Sequence, residues 1–272
     1  MGDGKTTPTR FYKYLKWDTG ARRIISDGTV KFTHPSDFND PFDCQPIYSD
    51  VSVESLNQGR PGYLREIAKN MGMTASDYLQ EKNKMVQRLQ KSVESGEYHR
   101  KMLQFTGVLS LTECPTDILM WSHYADQHKG FVVEFRVELE GEFAPSIDNL
   151  EDIIPLQVTY DNKRPVVDLA VDPRKYKEEN IKVLLTKSPH WSYEKEWRFI
   201  DYIRGSGIHP FSVKKHLVGV IAGARMNDYQ VESLRSTVET AENTFGISLE
   251  LHKAELKKDV FEVWIPGHHS SM

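Results

Sequence analysis

Cysteine is scarce in this chain: Cys44 and Cys114 are the only ones in 272 residues. Two isolated cysteines without CxxC spacing support neither a disulfide framework nor a cysteine zinc site, and they fit a reducing, cytoplasmic setting. Long apolar runs are missing as well. Stretches such as residues 218–222 fall far short of the roughly 20 residues that cross a bilayer, so no membrane partner is expected. The polar opening, residues 1–10, lacks the apolar core of a secretion signal and reads as a loose tail. Basic charge is not in excess. With 35 Lys and Arg against 39 Asp and Glu, the formal net charge is -4, which argues against a uniformly basic surface but leaves room for a local basic groove. Repeats and low-complexity segments are absent.

What is present is enough to close a core. Hydrophobic residues make up 39% and charged residues 27%, and 12 Phe, 12 Tyr and 5 Trp supply large side chains for cores and pockets. Strand patterns fall at 11–17, 29–33, 107–112, 130–137, 156–160, 193–200, 217–222, 247–253 and 260–265. Helical signals fall at 19–26, 117–125 and 176–185, and from an Asn227 cap with Gln230 at the capping-box position to about Asn243. Residues 51–103 differ: Glu, Lys, Gln, Met and Leu dominate at helical spacing, which predicts a helical insertion. Strands and helices mix without regular βαβ alternation. The expectation is one α+β domain over 11–272, with a mixed, split sheet of about six to eight strands and flanking helices.

Four segments carry more chemistry than packing needs. In Phe11-Tyr12-Lys13-Tyr14, Tyr12 and Tyr14 share one strand face and Lys13 takes the other. Lysine beside aromatics suits a phosphate or carboxylate, and equally a solvated sheet edge. In Asp37-Phe38-Asn39-Asp40-Pro41-Phe42-Asp43, Asx hydrogen bonds fix a turn that two phenylalanines anchor on the core. That turn either presents Asn39 and Asp40 to a ligand or is simply capped.

In the third segment, 109–135, Ser110 and Thr112 share a strand face, and Trp121, Ser122, His123 and Tyr124 follow on a helix. His123 suits a general base or a ligand-orienting group, although a structural histidine is the commoner case. His123 and His128 lack zinc-motif spacing, so no metal is expected. In the fourth, 191–198, a strand reading puts Glu194, Glu196 and Arg198 on one face. Paired carboxylates can divide labour between stabilising a cation and orienting a nucleophile, and alternating charge also marks plain solvated strands.

Together these motifs, "FYKY" (11–14), "SDFNDPFD" (36–43), "LSLTE" with "MWSHYADQHKGFVVEF" (109–135), and "YEKEWR" (193–198), resemble a family of bacterial and phage proteins catalogued as domain of unknown function 2971. A fainter "GVIAGARM" follows at 219–226. More distantly, a basic strand, a hydroxyl-bearing strand and an E-x-E strand, in that order, are similar to the arginine–serine–glutamate signature of ADP-ribosyltransferases. Lys13 stands where that signature has arginine, and "LSL" where it has Ser-Thr-Ser.

The resemblance implies an ADP-ribosyltransferase-like fold and NAD as substrate, with a phage-defence or toxin setting. Glu196 would be the catalytic carboxylate and Glu194 the acceptor-orienting one, while Ser110 would support Glu196 or hold the nicotinamide side. Lys13 would hold a phosphate, and Tyr12, Tyr14 or Tyr124 would stack on nicotinamide. Asn39, Asp40, Trp121, His123 and Tyr124 are expected to line the same cleft as Glu196. The acceptor, protein or nucleic acid or water, is left open. Two other readings fit the residues: a nucleotide or nucleic-acid binding module without turnover, and a metal-dependent nuclease using Asp40, Asp43, Glu194 and Glu196.

Overall fold

Asp18, three residues past the end of the first strand at Leu15, starts the first helix, because its carboxylate accepts the Ala21 N–H at 2.6 Å and satisfies a donor that the helix itself cannot. Similar side-chain caps at Ser52, Thr74, Asp117 and Asn227 start later helices in the computed structural model, which describes residues 9–138, 151–171 and 173–269. The expected tail lies outside the described residues up to residue 8. Thr9 and Arg10 already belong to a strand.

In chain order the elements begin with β1 (Thr9–Leu15), α1 (Thr19–Ser26), β2 (Thr29–Phe32) and β3 (Ile47–Tyr48). Four helices follow: α2 (Val53–Gly59), α3 (Tyr63–Asn70), α4 (Ala75–Glu94) and α5 (Glu97–Leu103). Next come β4 (Gly107–Thr112), α6 (Ile118–Tyr124), β5 (Phe131–Val137), β6 (Leu156–Gln157), β7 (Thr159–Tyr160) and β8 (Val166–Val167). The chain continues with α7 (Pro173–Leu185), β9 (Thr186–Lys187), β10 (Glu196–Asp201), β11 (Gly207–Pro210) and α8 (Val213–His216). It closes with β12 (Leu217–Ala222), α9 (Asp228–Phe245), β13 (Glu250–Lys253), β14 (Glu255–Leu256) and β15 (Val263–Trp264). The fold is α+β with a mixed sheet, as the patterning implies. Among the described residues, no helix is long and apolar enough to cross a membrane.

The chain divides into two compact units. The first comprises residues 1–34, 106–158 and 190–272, and the second residues 35–105 and 159–189. The first holds a seven-stranded sheet in the order β13-β12-β5-β1-β4-β10-β6. β5 lies near its middle, and every residue of β5 except Arg136 is buried, which explains its nearly unbroken apolar run. Phe131, Val133 and Phe135 face one core together with Ile24 and Ile25 of α1 and Leu234, Val238 and Ala241 of α9. Val132 faces a second core with Tyr12, Tyr14, Trp121, Ile221 and Ile265. The sheet is thus a layer between two apolar fillings.

β12 and β13 run parallel, and α9 supplies the crossover that a parallel pair requires. The Asn227 capping box is present, with reciprocal bonds to Gln230 at 2.8 and 3.1 Å, and Gly246 ends the helix in a left-handed conformation, φ 62°. Asn227→Ala should lower stability by about 1 kcal/mol. Urea unfolding checks this, and an unchanged midpoint would show that tertiary packing alone sets the helix start.

The sheet is split. β1 pairs with β5 along its whole length, from Thr9↔Val137 to Leu15↔Phe131. Against β4, its other neighbour, β1 pairs at Tyr12↔Thr112 alone. The gap that opens beyond this point positions the candidate site.

The second unit has its own core: Val51, Val53, Leu56, Leu64, Val86, Val167, Leu169 and Val183. Capping boxes at Ser52/Ser55 and Thr74/Asp77 start α2 and α4. The expected single strand over 156–160 is two short ones. β6 pairs with β10 of the first unit's sheet, whereas β7 pairs with β9 in the second. A period-2 pattern gives no sign of a change of partner in mid-run.

Candidate functional site

β1, β4 and β10 are consecutive in the sheet. Leu109 and Leu111 turn into the first core, which sends Ser110 and Thr112 to the opposite face. On β10, Arg198 pairs across from Ser110 and Glu196 from Thr112. Cross-strand partners share a face, so Ser110, Thr112, Glu196 and Arg198 form one polar strip. Glu196 and Arg198 are both buried. Arg198 donates from Nε to Glu196 Oε1 at 2.8 Å and from Nη2 to Oε2 at 2.9 Å, a two-pronged contact.

Lys13 spans the gap between β1 and β4. Its ammonium donates to the Ser110 carbonyl at 3.1 Å. Burial pushes the Lys13 ammonium down to about 8, against the pull of the Glu196 charge and with help from Lys31. The Ser110 carbonyl, not its hydroxyl, meets Lys13. The Thr112 hydroxyl accepts the Cys114 N–H at 3.1 Å and so shapes the turn after β4.

A cavity of about 360 Å³ lies at the opened end, with Lys13 and Tyr14 from β1, Val30 and Lys31 from β2, Gly20 from α1 and Tyr124 from α6 among its walls. This volume is within the usual range of ligand pockets. Tyr14 is anchored by its hydroxyl on the Cys114 carbonyl at 2.9 Å. Tyr124 donates to Glu194 Oε1 at 2.6 Å.

The alternating strand expected over 193–200 begins late. Residues Pro189–Glu194 form a 3-10 helix, Lys195 takes a left-handed φ of 41°, and β10 starts at Glu196. Glu194 therefore does not share the strand face of Glu196 by simple alternation, and this corrects the E-x-E reading. The cause is local: the Lys195 N–H bonds back to the Ser192 carbonyl at 3.2 Å and closes a turn. Both carboxylates are buried nonetheless.

The other expected residues are dispersed. Trp121 is fully buried, donating from Nε1 to the Pro115 carbonyl at 2.8 Å and packing edge-on against Tyr14. That is the position of a packing residue. His123 is exposed on α6 and touches the Tyr124 ring. Tyr12 is buried, and its hydroxyl lies 3.0 Å from His269 Nε2. Asn39 and Asp40 belong to the second unit, where Asn39 is exposed and Asp40 is buried. Asp40 accepts the Phe42 N–H at 2.9 Å, the Asx bond expected of this turn. Phe42 does not anchor the turn, because it is 64% exposed. A buried ion pair between Asp43 and Lys187, 3.8 Å apart, ties the turn instead.

Sequence reasoning missed one cluster altogether. Glu134, on the centre of β5, meets His268 and His269 near the end of the chain. Burial opposes its charge, but hydrogen bonds from His268 and Arg10 outweigh that and hold the Glu134 carboxyl below its ordinary range. No spacing rule links positions so far apart, and a charged residue inside "FVVEFRV" is the sole signal.

The fold and this strip define an α+β protein with a lysine-bearing cavity against β1 and β2 and, on β10, a buried Glu–Arg pair. Residues 120–199, from α6 to β10, match the profile of a family described as "Protein of unknown function (DUF2971)", in agreement with the motif resemblance. No curated protein and no solved structure matches the chain.

Proposed function

We propose that the seven-stranded unit binds NAD or a related nucleotide, and that Glu196 acts on the nicotinamide–ribose bond. The observation that carries this reading is the adjacency of β1, β4 and β10, with Lys13, Ser110 and Glu196 on neighbouring strands. Lys13 is a half-buried cation at the wall of a cavity, and an anionic phosphate there would add to the countercharge of Glu196. Tyr124, half-buried at the same cavity, offers ring surface to a base or to nicotinamide, and the buried Tyr14 borders it.

In the reaction the C–N bond breaks, nicotinamide leaves with the electron pair, and the ribose gains oxocarbenium character. A carboxylate at Glu196 stabilises that charge. The acceptor then adds at the anomeric carbon and releases a proton.

A second reading, binding without turnover, is favoured by the two-pronged Arg198 contact, which occupies both Glu196 oxygens and balances their charge. Incubation with NAD labelled in the nicotinamide ring separates the two. Binding with release of label supports transfer, whereas binding without release supports the module. If no binding occurs, both readings fall. Glu194→Gln should slow transfer to an acceptor more than hydrolysis of NAD. Equal losses in the two assays would remove its acceptor-orienting role.

A further inference from the structure

We infer that Glu134, His268 and His269 form a binding site for a divalent transition-metal ion of zinc-like preference. One ligand atom from each residue lies within 4.8 Å of the other two. Glu134 Oε2 is 3.3 Å from His268 Nε2, and Glu134 Oε1 is 3.7 Å from His269 Nε2. Zinc bonded to nitrogen and oxygen at about 2.0–2.1 Å in a tetrahedral site places its ligands roughly 3.3–3.4 Å apart. The cluster is therefore close to the size that such an ion requires. Two imidazoles and one carboxylate suit zinc, cobalt or nickel better than magnesium or calcium, which prefer oxygen ligands throughout.

The surroundings are those of a built site. Glu134 and His268 have side chains that are 0% exposed, and β5 holds the carboxylate rigidly at the centre of the sheet. Arg10 also bonds to Glu134 and orients the carboxylate from outside, in the way outer partners position metal ligands. His252 packs its ring edge-on against His268, with centroids 5.1 Å apart. The Tyr12 hydroxyl lies 3.0 Å from His269 Nε2 and 3.5 Å from Glu134 Oε1, so a bound ion would take over that hydrogen-bonding position or add the phenol oxygen as a fourth ligand. His269 is 41% exposed and gives the ion a route in from solvent.

The test uses the full chain, stripped with a chelator and titrated with zinc against a chromogenic competitor. Cobalt substitution reports coordination by visible absorption. The wild type should bind one equivalent and give the intense bands of a four- or five-coordinate cobalt site. Glu134→Gln and His269→Ala should each weaken zinc binding by more than the about 10-fold at the low end for outer-shell changes. His269→Ala is the safer variant because it alters an exposed side chain, and circular dichroism checks its fold. His190→Ala, at an exposed histidine outside the cluster, should leave binding unchanged. The inference is overturned if the wild type holds no equivalent of zinc, if His269→Ala binds as tightly as wild type, or if His190→Ala weakens binding as much as His269→Ala.

Discussion

Glu196→Gln should lower NAD turnover by about 10²-fold or more, because it deletes the charge that faces a developing oxocarbenium ion while keeping the shape. Ground-state NAD binding should change far less, since phosphate and ring contacts dominate it. By sequence alone this substitution is a charge deletion that leaves the fold intact. The structure adds a cost. Glu196 accepts both prongs of the buried Arg198 guanidinium, and removing one partner of a buried pair is destabilising, here by about 3 kcal/mol. Turnover must therefore be compared at a temperature where circular dichroism shows both proteins folded. Equal nicotinamide release by folded variant and wild type would end the catalytic assignment. Unchanged stability would show that the Arg198 contact is worth little to the fold.

Lys13→Met should abolish much of the nucleotide affinity and at the same time stabilise the protein near neutral pH. A hydrogen bond to a charged group contributes about 1.5–3 kcal/mol, so binding should weaken by roughly 10-fold or more. The stability effect follows from linkage. Lysine ordinarily titrates at 10.5, and Lys13 in the folded chain at about 8. Between those values the unfolded chain holds a proton that the folded chain has released, so wild-type stability rises with pH across the window. Below it the desolvated ammonium is a burden of up to about 3 kcal/mol. Methionine fills similar space without charge. Urea unfolding should show a Lys13→Met advantage at about pH 7 that shrinks toward about pH 10. An advantage equal at both pH values, or none, would mean that Lys13 is not held in an unfavourable environment.

The strip on β4 and β10 was partly legible. Alternation alone separates Leu109 and Leu111 from Ser110 and Thr112, and the core confirms that division. Glu194 was misread because its neighbours alternate in charge like a strand, although short-range hydrogen bonds wind Pro189–Glu194 into a 3-10 helix. Trp121 stood out as a ligand wall, yet its indole N–H is satisfied by the Pro115 carbonyl and its ring is fully buried. An aromatic beside polar residues looks the same in sequence whether it lines a cavity or fills a core.

By itself the sequence determined what depends on near neighbours. α1, β4 and β12 fall where caps, periodicity and apolar runs put them, because those signals act within a few residues. The family resemblance was likewise carried by contiguous words, and it matches over 120–199. The tertiary structure alone decided the order of strands, the single pairing that leaves β1 and β4 open around Lys13, and the meeting of Glu134 with His268 and His269. Those contacts join residues about a hundred or more positions apart, and only the burial of both sheet faces and the completed ladders choose among the pairings such a chain could make.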